Sequence, residues 1–322
     1  MKPDVIGMGT CCVDLLARVK EIPPSNGSVH LDQYSWQGGG KVPTALVAIA
    51  TLGASCGFAG PVAGDRFGRF CLSDFHHHGI DTSGVLIQTD SKTPFAIVVA
   101  ETAKSTRTFL KTNGELERMS PSALEPGIFS QCRFLHLEHM GDLEIRAAEL
   151  VRSRGGKVVF DADRYWPGME RAVPHTDVFI ASEDYFEKAF ETGRLEDNMR
   201  LVQAEGPGIV VVTLGAKGCA LLDGDHFAEV PGFTVPVVDT TGAGDVFHGA
   251  FIYGLLQKWS CEQTARFANA AAAIKCMRMG GRAGIPSRAV VDAFLEDGHI
   301  DFMEIDRRVR YYEDALFQTD EG

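Results

Sequence analysis

Residues 237–256, VVDTTGAGDVFHGAFIYGLL, hold the pieces of a chemical device. An apolar run ends at Asp239, a glycine-rich turn follows, and an apolar helical pattern begins inside that turn. Gly242, Ala243 and Gly244 carry almost no side chain, so the backbone N–H groups at the helix start stand open where the helix dipole favours an anion. Asp245 falls in the first helical turn, which lets its carboxylate face the same pocket. Phosphoryl transfer asks for these two parts: amide dipoles for the spread charge of the transferring group, and a carboxylate that orients a hydroxyl and takes its proton. Taken alone, an aspartate at this position more often only stabilises the helix. The motif around it favours the catalytic reading.

Such a turn needs a scaffold. Short β-branched runs alternate with helical patterns along most of the chain, which predicts a mainly parallel sheet covered by helices. Strands are expected at 4–8, 55–61, 134–137, 157–161, 178–181 and 209–213, and helices at 43–52, 64–78, 145–154, 244–257, 261–277 and 287–295. Residues 14–36 and 85–112 break the rhythm with extended, turn-punctuated runs such as VLIQT and FAIVVAE. Paired as a small antiparallel flap, they would form a lid beyond the carboxyl ends of the parallel strands, where ligands bind. The charged segment 301–322, with Arg307, Arg308, Arg310, Tyr311 and Tyr312, leaves a short packed helix, a subunit contact and a solvated extension all open.

Composition narrows the partners. A formal charge of −12 over 322 residues, with no basic run to offset it, opposes contact with nucleic acid or an anionic membrane and points to a small molecule. The amino terminus lacks the basic start and unbroken apolar run of a signal peptide, and no segment approaches the ~20 apolar residues of a membrane helix, so a soluble cytoplasmic protein is expected. The eight cysteines show no CxxC or metal-ligand spacing and read as reduced, mostly buried thiols. His76, His77 and His78, adjacent on one helix, point in different directions, which opposes a shared metal.

DTTGAGDVFHGAF resembles the carboxyl-proximal signature of the ribokinase-like (PfkB) carbohydrate kinases, and the similarity runs over nearly the whole chain. Gly39, Gly40, Lys41, Val42, Pro43 and Thr44, through Gly53 and Ala54, resemble the amino-proximal GGKGAN motif and its helix; GPVAGDRFG, with Asp65 in register, resembles G-x-x-G-D-D-x-x-G. VVTLGAKGCAL resembles the nucleotide-loop strand, and NAAAAIKCMRMGGRAGIP the helix and loop that flank adenine and a monovalent cation. The resemblance implies a three-layer α/β/α ribokinase-like fold over residues 1–300, with a β lid from 14–36 and 85–112 and a carboxyl-terminal extension at 301–322. It also implies an ATP- and magnesium-dependent sugar kinase with Asp245 as base, and a homodimer formed through the lid. By position, Asp14, Gly39, Gly40, Lys41, Thr44 and Glu138 would line the substrate cleft. Thr213, Gly215, Gly218 and Asn269 would lie beside the nucleotide. Asp239 and Thr241, with the carbonyls of Lys275, Arg278 and Gly280, resemble a potassium site.

Two departures bear on specificity. The usual asparagine of the amino-proximal motif is Thr44 here, and the family's N-x-x-E element is altered to Ser182, Glu183, Asp184 and Tyr185, where Glu183 is the candidate for the magnesium network. Ser105, Thr106, Arg107 and Lys111 fall in the lid; Arg107 and Lys111, four apart on a strand, share a face and with Lys41 would give the pocket a cationic end, unless they are solvent-face charges. The combination of VVDTTGAGDVFHGA, KC and GGRAGIP resembles the sulfofructose kinase branch more closely than the broad family pattern. A nucleoside kinase is the other alternative within the family, with Tyr34, Trp36, Phe95 and Phe109 stacking a base or simply packing the lid. GMGTCC lacks the third glycine of a dinucleotide fingerprint and GxxxxGK[ST] is absent, which argues against a dehydrogenase and a P-loop ATPase. A non-catalytic sugar or nucleotide sensor remains the rival of another class, and the intact GAGD favours the enzyme.

Overall fold

The apolar runs become the strands of a nine-stranded sheet in a computed structural model that describes residues 2–104 and 106–316. In space the strands run β13 (His226–Pro231), β12 (Gly218–Asp223), β11 (Ile209–Thr213), β10 (Val178–Ser182), β9 (Lys157–Ala162), β8 (Phe134–Leu137), β1 (Val5–Met8), β4 (Cys56–Ala63) and β5 (Asp81–Gln88). Every pairing from β11 to β5 is parallel; β12 and β13 return antiparallel at one edge. Period-two alternation sends successive residues to opposite faces. Val178 and Ile180 join one core with α1 (Lys41–Thr51), α2 (Arg66–His77), α6 (Ala243–Leu256), α7 (Cys261–Lys275) and α8 (Arg288–Asp297), while Phe179 and Ala181 join a second with α3 (Asp142–Arg152), α4 (Glu183–Ala189) and α5 (Leu195–Ala204). This is the expected three-layer α/β/α architecture, with strands and helices within a few residues of their expected bounds.

A separate four-stranded sheet, ordered β3 (Gln33–Gly39), β2 (Cys12–Val19), β6 (Phe95–Glu101) and β7 (Thr106–Thr112), draws on both segments expected to form the lid, but its central β2–β6 pairing is parallel, so it is not the antiparallel flap expected. VLIQT is not part of it: residues 85–88 close the edge of the large sheet as β5, in parallel register with 60–63. The apolar, β-branched residues of that run specify a strand, and nothing in them says which sheet supplies the partner. The charged carboxyl-terminal segment forms α9 (Met303–Asp314), which packs on the domain through fully buried Ile305 and Tyr312. Residues 317–322 and Ser105 lie outside the described residues.

α6 and α1 lie side by side because Gly249 carries no side chain: a Cβ there would stand 2.4 Å from the Ala45 carbonyl oxygen. Gly249 is one turn beyond Asp245, and Ala45 one turn beyond Lys41, so this close approach brings the two helix starts together.

Candidate functional site

Gly242, with φ 73°, takes the left-handed conformation that ends the turn and starts α6. A side chain there would also press on Gly281, whose Cα is 2.8 Å from the position of a Cβ. Of the amides expected to form an anion hole, that of Ala243 donates to the Thr240 carbonyl at 3.2 Å. Gly244 and Asp245, next in the first turn, have no intrahelical acceptor for their own N–H groups. Asp245 is held well above the usual carboxylate range by burial, aided by the negative charges of Asp161, Glu138 and Asp163 and opposed by Lys41. A carboxyl of raised proton affinity suits the acceptance of a hydroxyl proton.

On one side of Asp245 lies a cavity of about 240 Å³ lined by Thr213, Gly215, Gly218, Asn269, Ala243 and Gly244. Gly215 (φ 59°) and Gly218 (φ 102°) shape the loop that forms one wall. Asn269 donates Nδ2 to the carbonyls of Val230 (3.1 Å) and Pro231 (3.2 Å), pinning the opposite wall. Glu183 starts α4 and pairs with Lys217 of that loop at 3.3 Å. All four expected nucleotide residues therefore face one cavity, which ends on the first turn of α6.

On the other side the acids cluster. Lys41 Nζ lies 3.5 Å from Asp161 Oδ1. Burial would lower the Lys41 ammonium, but Asp161, Glu138, Asp163 and Asp245 outweigh it and raise it, so Lys41 is a standing positive charge among carboxylates. Glu138 is buried and accepts from the Thr10 amide at 2.5 Å, and burial lifts its carboxyl to about 7. Asp14 rises to about 6, also through burial, and closes over Gly39, where a Cβ would meet its Oδ2 at 2.4 Å. Gly40 (φ 94°) starts α1. A cavity of about 510 Å³ opens beside Glu138, lined by Gly9, Thr10, Asn113, Arg118 and His139 among others.

Three expected residues are placed otherwise. Thr44 is buried, and its hydroxyl accepts from Arg282 Nε at 3.3 Å. Arg107 leaves the lid strand to reach Thr241 Oγ1 at 2.9 Å and Asp239 Oδ1 at 3.4 Å, so its partners are residues of the α6 turn. Arg278 donates to Asp306 Oδ1 at 2.7 Å and stacks over Phe302 at 4.0 Å. Asp239 does organise its surroundings: its carboxylate accepts from the Thr241 amide (2.9 Å), the Thr241 hydroxyl (2.8 Å) and the Gly280 amide (2.8 Å). Lys275 meets this turn with its side chain: the ammonium donates to the carbonyls of Asp239, at 2.9 Å, and Thr241. Its own carbonyl accepts from the Arg278 amide at 3.2 Å. The Lys275 ammonium thus meets the main chain of two of the five residues expected to hold potassium.

Sequence reading missed two groups. Arg282, fully buried, donates to Asp74 and to the Gly39 carbonyl (2.8 Å), while Tyr312 donates to Asp74 at 2.8 Å. Asp161 stands with His136 and His248, their ligand atoms within 4.8 Å of one another, which among the described residues is the grouping that could hold a metal ion. Lys41 opposes that use by placing a positive charge on the same carboxylate. Burial drives His136 down to about 3 and lowers His248, so both are neutral near neutrality. Asp161 sits at the carboxyl end of an expected strand, where α/β sheets place ligand-binding residues, and that position was the signal available. His76, His77 and His78 contact Thr82, Tyr311 and Tyr312 respectively.

An α/β/α domain with a glycine-rich cavity ending on a helix start, and a half-buried carboxyl beside that cavity among Asp161, Glu138 and Lys41, is the arrangement of a small-molecule kinase. The chain belongs to the pfkB family of carbohydrate kinases, whose family model matches residues 2–288. It is 28% identical over 307 residues to the ribokinase of Haemophilus influenzae, covering 92% of this chain and 99% of that one. It is 26% identical over 328 residues to fructokinase-1 of Zea mays, covering 91% and 97%. Its fold matches the ribokinase of Thermotoga maritima with a TM-score of 0.80 at 24% identity, over 92% of this chain and 100% of that one. It matches the Arabidopsis thaliana ribokinase complexed with ribose and ATP at 0.76 and 23% identity, over 92% and 99%. No helix among the described residues is long and apolar enough to cross a membrane.

Proposed function

We propose that this carbohydrate kinase transfers the γ-phosphoryl group of magnesium-bound ATP to a hydroxyl of a sugar or sugar derivative, with Asp245 as the general base. The observation that carries this reading is the position of Asp245: one turn of helix presents its carboxyl between the cavity of Thr213, Gly218 and Asn269 and the cleft of Lys41 and Glu138. Magnesium enters with the nucleotide and neutralises phosphate charge; Glu183, beside the nucleotide loop, is the chain's candidate for its network. Asp14 and Glu138 accept hydrogen bonds from acceptor hydroxyls and orient one of them. Asp245 takes the proton of that hydroxyl as its oxygen attacks phosphorus. The amides at the start of α6 receive the developing negative charge, and the lid sheet excludes water. We place a homodimer contact on the lid.

An anionic acceptor, a sulfosugar among them, is the second reading, favoured by Arg118 in the cavity beside Glu138. The test is coupled ADP release with Mg-ATP over neutral sugars, sugar acids, sulfosugars and nucleosides. Turnover with neutral sugars alone would discard the anionic reading, and turnover with nucleosides would discard both. Tight ATP binding with silence across the panel would mark a sensor.

A further inference from the structure

Lys275 is fully buried, and among the described residues no ion pair joins its ammonium to a carboxylate. Burying an ammonium is costly unless it is held by acceptors. Here the acceptors are two main-chain carbonyls, those of Asp239 and Thr241, on the turn directly ahead of Gly242. The rest of that turn is tied down as well. The amides of Val238 and Asp239 donate to the Cys276 carbonyl at 2.8 and 3.0 Å. The Asp239 carboxylate is filled by Thr241 and Gly280, with the Arg107 guanidinium at its edge. Two carbonyls of the turn that would help hold a monovalent cation here, those of Asp239 and Thr241, are therefore already turned onto a lysine that the chain itself supplies.

We infer that Lys275 is a positioning residue whose ammonium takes the place of a monovalent cation beneath the anion hole, so that catalysis requires no added potassium. It rests on the kinase reading above. Two hydrogen bonds and one fixed charge hold the Asp239 to Thr241 backbone, which sets the direction of the amides that start α6. Because the cation is covalently part of α7, it is present at every turnover.

The test begins with the native protein. ADP release in a buffer of bulky organic cations should be unchanged when potassium chloride replaces them at constant ionic strength; activation by potassium of severalfold or more would overturn the inference. Lys275→Ala opens a space lined by the two carbonyls. Its kcat should fall by about 100-fold, the scale of losing one element of preorganised charge stabilisation, and should recover in part with potassium or ammonium ions. Lys275→Met, which fills the same space with an apolar chain, should fall equally and not recover. An alanine variant that keeps its rate, or one that neither ion restores, overturns the assignment. Should that variant fail to fold, the native potassium titration decides. Should no acceptor be turned over, the kinase reading fails separately, and the ATP-induced rise in melting temperature, measured with and without potassium, decides: a potassium-dependent rise would sink the inference.

Discussion

In the proposed mechanism the carboxyl groups of the cleft are the residues on which the chemistry turns, and each sits in surroundings that set its proton. Replacing Asp245 with asparagine keeps size and burial while removing the base. The expected outcome is ATP affinity close to native by calorimetry and a kcat lower by about 10³-fold, within the range general-base groups contribute; near-native turnover would take Asp245 out of that role. Glu138 offers a test by pH. Burial lifts its carboxyl from 4.5 to about 7, against the pull of Lys41 and the Thr10 amide. Between those values the folded protein holds a proton that the unfolded chain has released, so stability falls as pH rises. The contribution is complete below about pH 4.5 and lost as pH passes about 7. Glu138→Gln cannot ionise and should flatten the melting temperature across that interval; an unchanged slope would assign the effect to other groups.

Among the elements, α6 carries the most consequence, and its packing depends on Gly249. Gly249→Val would force a branched side chain against the Ala45 carbonyl. The expected cost is about 1–3 kcal/mol, typical of overpacking, read by chemical denaturation, with kcat reduced more than ATP affinity because the starts of α1 and α6 separate. α6 was legible in sequence because strand, glycine turn and apolar helix follow one another within twenty residues, and each signals its neighbour. α4 and α5 went unnamed because their short, polar patterns bury few side chains. The run VLIQT has the expected structure in another sheet, since strand-forming residues carry no information on partners. Thr44 was read as a substrate ligand because its motif position says nothing of Arg282, which lies 238 residues away and claims its hydroxyl. The joining of Asp74, Arg282 and Tyr312 was equally out of reach, being a pairing across the whole chain. Asp161 differs, because its place at a strand end could have nominated it.

At the scale of the molecule, the lid sheet ends in β7, every residue of which is exposed, and it leaves Phe109 (52%), Leu110 (57%) and Tyr34 (48%) open to solvent. The register sets Leu110 and Tyr34 on one face of the lid and Phe109 on the other, and these exposed apolar side chains are covered most simply by a second copy. Light scattering should give a dimer mass for the native chain and a monomer for Phe109→Asp with its melting temperature preserved; a monomeric native chain would end that proposal. The docking of α9 has a consequence of another kind. Tyr312 holds Asp74, Asp74 holds Arg282, and Arg282 holds the Gly39 carbonyl in the acceptor cleft. Synthesis runs from the amino end, so a cleft built from Asp14 to Asp245 waits for a residue, Tyr312, that is made after all of them. A chain cut short just before α9 would carry every residue of the proposed site and still lack the strut that shapes it, which ties competence for catalysis to the making of that helix.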